Sequence, residues 1–160
     1  MKEKQKWLRL DSEGGRMRSV GKSETTRLKQ EIQKLVRAIV IIRDGGCILR
    51  DCKEAPRCAG FNKKGELILQ ADHLITRSNS ATYDDTRLIV CVCKGHHGWK
   101  HWHQKQYEDV VRSLLPEERV VLWDDAEKDS WKPTHRVSAD WRMSIVVLCE
   151  ELARLKRENQ

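Results

Sequence analysis

The alternation of apolar and polar residues predicts two long amphipathic helices. From residue 23 to about 43, apolar residues recur every three or four positions and would share one helix face, namely Leu28, Ile32, Leu35, Val36, Ile39 and Val40. Ser23 can cap the start of this helix, and Asp44-Gly45-Gly46 is a turn signal at its end. A second stripe predicts a final helix over 138–157, with Trp141, Ile145, Leu148, Leu152 and Leu155 on its apolar face.

The middle of the chain predicts a small sheet followed by a further helix. Short apolar runs at 67–72 and 88–92 favour two strands of a hairpin with a long polar connection. A helical pattern covers 97–115 and should end at Pro116. Residues 47–66 show little periodicity, and 117–137 combine the apolar run VVLW with an irregular stretch at 124–135. These patterns predict an α+β protein with a flexible basic arm at 1–22, a core at 23–115 and a helical extension at 116–160.

Charge changes this picture by pointing to an anionic partner. The 160-residue chain carries a net charge of +7, and residues 1–43 hold twelve Lys and Arg against five Asp and Glu. Such an N-terminal excess suits binding to a phosphate backbone, although a solvated surface that aids solubility explains the charge equally well. No apolar run exceeds six residues and no secretory signal is recognisable, so we expect a cytoplasmic protein without a membrane segment.

The cysteines predict a metal site. Five of the six lie within 47–93, and clustered cysteines without a secretory signal favour metal ligation over disulfides. Cys47 and Cys52 form a C-x4-C pair, and Cys93 and His96 form a C-x2-H pair. Three thiols and one imidazole suit tetrahedral Zn²⁺, which would stabilise a segment poor in apolar residues.

Two further cysteines compete for places in this zinc site. Cys58 lies in the same segment, and Cys91 precedes Cys93 by two residues, so the two strand thiols should not both face the metal. Free core thiols are the alternative to a metal site. Cys149 lies in an apolar run and is predicted to be a buried hydrophobic residue.

A second constellation combines carboxylate and imidazole groups. Asp72 and His73 are adjacent at the end of the first predicted strand, and His97 and His101 share a helix face four residues apart. A carboxylate can hold a divalent cation while an imidazole takes a proton from water. Neighbouring strand residues point to opposite sides, so both Asp72 and His73 can contribute only where the strand ends and the chain bends.

With these motifs in order, the stretch from Arg43 to His101 resembles the HNH endonuclease family, in the form common in bacteriophages and other mobile elements. RDGGCILRDC resembles the opening with its first zinc pair, and LQADHLITRS resembles the strand that carries the Asp-His pair. YDDTRLIVCVCKGHHGWKH resembles the closing strand, the second zinc pair and the metal-binding helix.

The resemblance implies a ββα-metal core beside a structural zinc knuckle, and metal-dependent hydrolysis of DNA. His73 matches the general base, Asp72 a metal-binding carboxylate, and His97 the helix histidine that completes the metal site. His101 matches a further histidine that some members use for metal or phosphate. The implied cofactors are structural Zn²⁺ on Cys47, Cys52, Cys93 and His96, and one catalytic Mg²⁺, Mn²⁺ or Ni²⁺.

One residue departs from the family pattern. Arg87 stands where the family has its central asparagine, which orients the base or helps to bind metal. An arginine cannot coordinate a cation. Either Arg87 points outward toward phosphate, with Asp84 or Asp85 in the vacated role (Asn79 is a less well placed substitute), or the site is catalytically impaired.

The expected partner is double-stranded DNA. Arg77 and Lys100 are candidate phosphate contacts, and Trp102 is a candidate for stacking on bases. If Arg87 impairs the site, the alternative is a zinc-stabilised nucleic-acid-binding module without catalysis. The C-terminal helix could also dock a protein partner or a second copy of the chain.

Overall fold

The computed structural model describes residues 23–75, 82–129 and 136–160, together with the backbone of residues 8–9 and 18–19. The described residues form a mixed α+β fold whose elements follow the order β1 (Leu8–Arg9), β2 (Arg18–Ser19), α1 (Glu24–Asp44), β3 (Leu69–His73), a 3-10 turn (Thr86–Leu88), β4 (Ile89–Cys93), α2 (Lys94–Trp102), α3 (Gln104–Leu114), α4 (Glu117–Asp129) and α5 (Ser138–Glu158). Strands β1 and β2 pair antiparallel, and the rest of the predicted arm at 1–22 lies outside the described residues.

Helix α1 begins and ends as its sequence predicts. The Ser23 hydroxyl accepts a hydrogen bond from the Thr26 backbone N–H at 3.3 Å, which satisfies one free donor of the first turn. The helix ends at Gly45, whose φ of 64° is a left-handed conformation that favours glycine. Its buried face consists of Ile32, Val36, Ile39 and Val40.

The predicted hairpin is confirmed as the antiparallel pair β3–β4. Leu69 lies opposite Cys93, and His73 lies opposite Ile89 at the other end of the sheet. β4 is buried along its whole length, so its alternate side chains supply two separate cores.

Helices cover both faces of this sheet. Helices α1 and α5 pack together on one face, in a core that includes Ile32, Val36, Ile39, Ile89, Cys91, Trp141 and Leu148. The other face belongs to a core that includes Leu49, Val90, Val92, Tyr107, Val111 and Trp123, with contributions from α3 and α4. The predicted extension at 116–160 therefore adds one helix to each core.

Polar contacts fix the end of α1 against β4. The Arg43 guanidinium donates to the backbone oxygens of Thr86 and Ile89 at 2.6 and 2.7 Å. The Asp44 carboxylate accepts from the Cys91 N–H at 2.8 Å. Because Cys47 lies only three residues after Asp44, these contacts also set the start of the cysteine-rich segment.

Three predictions are wrong. The helix over 97–115 is two helices, because the backbone leaves helical geometry at His103 (φ −136°, ψ 46°). The stretch at 124–135, predicted to be irregular, is helical as far as Asp129, because α4 covers Glu117–Asp129. Buried Trp123 of α4 packs with its ring centre 4.0 Å from the guanidinium carbon of Arg112. Cys149 is exposed, since the buried stripe of α5 runs through Trp141, Ser144, Leu148 and Leu155 instead.

Within the described ranges, no helix combines the length and the apolar character that crossing a membrane requires.

Candidate metal centre and catalytic cleft

Four side chains from three parts of the chain converge on one point. Cys47, Cys58, Cys93 and His96 each offer one ligand atom, and these atoms all lie within 4.8 Å of one another. His96 Nδ1 lies 3.2 Å from the Cys47 sulfur, 3.3 Å from the Cys93 sulfur and 3.9 Å from the Cys58 sulfur. Zn–S bonds of about 2.3 Å and Zn–N bonds of about 2.0 Å put tetrahedral ligands roughly 3.5 Å apart, so the cluster fits zinc.

The His96 ring is held in the tautomer that a metal requires. Its Nε2 lies 2.6 Å from the Pro56 carbonyl oxygen, which can only accept, so Nε2 carries the proton. The lone pair of Nδ1 therefore faces the three sulfurs. Hydrogen bonding of the second ring nitrogen to a carbonyl is the usual support for a metal-ligating histidine.

The start of α2 positions the sulfurs of Cys93 and Cys58. Cys93 ends β4 and caps α2, and its sulfur accepts from the His96 N–H at 3.4 Å. The loop of Cys58 approaches the same helix start, where the Gly95 N–H donates to the Ala59 oxygen at 2.9 Å. A Cβ on Gly95 would lie 2.8 Å from the Ala59 Cβ, so this approach requires glycine.

The thiols respond differently to this environment. Burial raises the pKa of the Cys47 thiol to about 12. For Cys93, burial is outweighed by backbone donors, chiefly the His96 N–H, and the pKa is lowered. A bound cation deprotonates the thiols that coordinate it. Metal binding would therefore convert the neutral Cys47 thiol into a negatively charged thiolate.

The ligand set differs from the sequence prediction at one position. Cys47, Cys93 and His96 come together as expected, but the structure places Cys58 beside them instead of Cys52. The Cys52 thiol donates to the Glu54 carboxylate at 3.1 Å. Cys91 faces the core formed with α1 and α5.

The pair Cys58→Ser and Cys52→Ser separates these two assignments. Cys58→Ser is expected to lower the zinc content below one ion per chain, because it removes a thiolate from the cluster. Cys52→Ser should retain the full zinc content. Metal analysis of the two purified variants measures this, and the reverse result would restore Cys52 as the ligand.

A second polar group is built around Asp72, which is only 2% exposed. Its Oδ1 lies 3.0 Å from His97 Nδ1, and its Oδ2 accepts from the Lys100 ammonium at 2.9 Å and the Tyr107 hydroxyl at 2.7 Å. Burial alone would raise the pKa of Asp72, but the contacts with His97, Lys100 and Tyr107 lower it below its usual range. The carboxylate is therefore ionised at neutral pH.

His73 occupies the last position of β3, where the chain bends. Its Nε2 lies 3.0 Å from the Tyr83 carbonyl oxygen, so Nε2 carries the proton in this contact and Nδ1 is the basic nitrogen. His73 and His97 both line a cavity of about 520 Å³. The opposite wall is the polar face of α1, with Gln30, Gln33, Lys34 and Arg37.

The other predicted site residues take different positions. His101 is exposed, with its ring 5.2 Å from that of His97. Lys100, expected at a nucleic-acid surface, turns toward Asp72. The Arg87 side chain is 66% exposed and forms two hydrogen bonds with Asp85, at 2.9 and 2.8 Å, so it lies on the surface away from the cavity lining.

Four further residues had predicted roles. Asp84 forms an ion pair with Arg136 and lines a second cavity beside Arg87, not the cavity of His73 and His97. Trp102 is 85% exposed, as a stacking residue must be. Arg77 and Asn79 lie outside the described residues.

Sequence reasoning missed Tyr107, because its position on the apolar stripe of α3 suggested a core residue only. It also missed the part that α1 plays as the wall of the cavity, since the polar residues of a surface helix are ordinarily solvated.

Comparison of the chain with protein-family models, with curated proteins and with solved structures gives no match.

Proposed function

We propose that the protein is a metal-dependent HNH-type endonuclease that hydrolyses DNA phosphodiester bonds. The proposal rests on one observation: the buried Asp72 carboxylate contacts His97, and His97 lines the same cavity as His73. Asp72 Oδ1 lies 3.0 Å from His97 Nδ1, and His97 and His73 line the same cavity.

Asp72 and His97 are the residues that would hold the catalytic cation. Asp72 Oδ1 and His97 Nδ1 share a proton at a separation of 3.0 Å, and a cation with bonds of about 2.1 Å could replace that proton with little movement of either side chain. An oxygen and a nitrogen donor suit Mg²⁺, Mn²⁺ or Ni²⁺. A bound cation supplies Lewis-acid stabilisation of the charge that develops on phosphate oxygens during hydrolysis.

His73 acts as the general base in this proposal. Its Nδ1 takes a proton from the water that attacks phosphorus, and the Tyr83 carbonyl stabilises the resulting imidazolium through Nε2–H. The bond from phosphorus to the 3′ oxygen breaks in the same reaction, and that oxygen takes a proton from water as it leaves. The same carbonyl holds the ring in one orientation throughout the reaction.

The surroundings of the cavity support a nucleic-acid substrate. Lys34 and Arg37 bring positive charge from α1 to the cavity wall. All of the net positive charge of the chain lies in residues 1–43, which include α1. Since backbone phosphates dominate nucleic-acid affinity, duplex DNA is the proposed substrate. The Cys47–Cys58–Cys93–His96 cluster is proposed to hold structural Zn²⁺.

A zinc-stabilised DNA-binding module without catalysis is the second candidate. The observation in its favour is that Lys100 already neutralises Asp72 and that Arg87 replaces the family asparagine. This candidate retains zinc and DNA binding but predicts no cleavage with any cation.

Asp72→Asn separates the two candidates, because it removes the carboxylate charge with almost no change of shape. Supercoiled plasmid is incubated with wild type and variant in Mn²⁺, and DNA binding is measured by gel shift. The nuclease proposal predicts nicking or linearisation by wild type and a loss of at least about a hundredfold in the variant. Equal DNA binding with no cleavage by either protein would favour the binding module.

A further inference from the structure

Three polar or aromatic groups surround the Lys100 ammonium beside the proposed cation site. It donates to Asp72 Oδ2 at 2.9 Å and to the His73 carbonyl oxygen at 2.8 Å, and it lies 5.4 Å from the centre of the Tyr107 ring. Its side chain is only 19% exposed. The ammonium thus contacts both members of the Asp72–His73 pair.

This arrangement places two demands on one carboxylate. Asp72 Oδ2 binds Lys100, and Asp72 Oδ1 lies 3.0 Å from His97 Nδ1, so a cation that binds both of these atoms must replace the proton between them. Among the described residues, Asp72 supplies the single carboxylate that is hydrogen-bonded to either Lys100 or His97. A divalent cation would therefore meet an already neutralised carboxylate and a nearby positive charge, and like charges at short range disfavour binding.

We propose that Lys100 makes cation binding depend on the substrate. The ammonium weakens the affinity of the Asp72–His97 pair for a divalent cation until a phosphodiester in the cavity adds negative charge. This inference rests on the proposed function, in which Asp72 and His97 hold the cation.

The geometry also explains why Lys100 is not needed to hold Asp72 in place. The Tyr107 hydroxyl donates to the same Oδ2 at 2.7 Å, and burial beside the Asp72 charge raises the pKa of Tyr107, so the phenol remains a donor. Removal of the ammonium leaves this anchor intact. It removes the competing charge and keeps the orientation of the carboxylate.

The test measures Mn²⁺ affinity of the zinc-loaded full chain by electron paramagnetic resonance, in a His73→Ala background that prevents cleavage. Lys100→Met is compared with its parent, with and without a short DNA duplex, after subtraction of Mn²⁺ bound by DNA alone. Lys105→Met is the matched control, since Lys105 is the second residue of α3 and its side chain is exposed. Asp72→Asn identifies the signal that belongs to the site.

Lys100→Met is expected to bind Mn²⁺ at least about tenfold more tightly than its parent without DNA, the size of effect that groups next to metal ligands produce. DNA should tighten binding in the parent and in Lys105→Met, and much less in Lys100→Met. Equal or weaker binding by Lys100→Met would overturn the inference and leave the proposed function intact. If Asp72→Asn binds as much Mn²⁺ as its parent, Asp72 does not hold a cation, and this result would overturn the proposed cation site itself.

Discussion

His73→Ala is expected to lower the single-turnover rate of plasmid cleavage by at least about a hundredfold, the usual contribution of a general base. The histidine ends β3 beside the cavity, and its Nε2 contact with the Tyr83 carbonyl leaves Nδ1 as the basic atom. Alanine removes this base without adding charge or bulk. Zinc content and DNA affinity should stay at the wild-type level, because neither depends on His73 in this account.

The measurement uses enzyme in excess over plasmid, so that the rate reports the chemical step rather than product release. His103→Ala is the matched control, since His103 is exposed and does not line the cavity. It should cleave like wild type. Cleavage at the wild-type rate by His73→Ala would remove His73 from the role of base.

Cys93→Ala is expected to lose zinc, thermal stability and cleavage together. Zinc binding by such clusters contributes several kcal/mol to the free energy of folding. Each kcal/mol of stability changes the Tm of a chain of this size by about 2–4 °C, so the Tm should fall by about 10 °C or more. Cys93 also caps α2, through its sulfur and the His96 N–H. Because His96 and His97 are consecutive residues of that helix, loss of the cluster should displace the proposed cation ligand as well.

Cys91→Ala is the control for this variant. Cys91 is equally buried on the same strand, but it faces the core that contains Trp141 and Ile89. The variant should retain one zinc ion per chain. Its free energy of unfolding should fall by about 1 kcal/mol, the cost of a small core truncation. Thermal melts and metal analysis compare the two. A full zinc content in Cys93→Ala would show that the cluster is not a zinc site.

Periodicity was sufficient to predict the long helices and the hairpin. The stripes of α1 and α5 repeat at helical spacing over about three to four turns, and the β-branched run of β4 is buried on both faces. The bounds of α4 escaped prediction, although helices were expected in this extension, because Trp123 is its one fully buried residue among those described and α4 has almost no apolar stripe. The break at His103 escaped prediction because the aromatic stripe continues across it, with the Trp99 and Tyr107 rings 5.9 Å apart.

Spacing predicted three members of the cysteine cluster but not the fourth. The C-x2-H pair lies on one tight turn, so local sequence brings Cys93 and His96 together. The choice between Cys52 and Cys58 depends on how the loop closes on α2. That closure is decided by the contact of Ala59 with Gly95, two residues far apart in the sequence.

Lys100 shows the same limit for the second constellation. Its place among exposed basic residues suggested a phosphate contact. On α2, however, Lys100 follows His97 by three residues and therefore shares the face that points at Asp72. Tyr107 joins this group from a different helix, which no spacing rule predicts.

The most direct test of the account is plasmid cleavage by the zinc-loaded protein before and after addition of Mg²⁺, Mn²⁺ or Ni²⁺, with His73→Ala in parallel. The account predicts no cleavage without the added cation, nicked or linear plasmid with at least one of the three, and loss of this activity in the variant. An intact plasmid with every cation, under conditions where the wild type binds DNA, would contradict it.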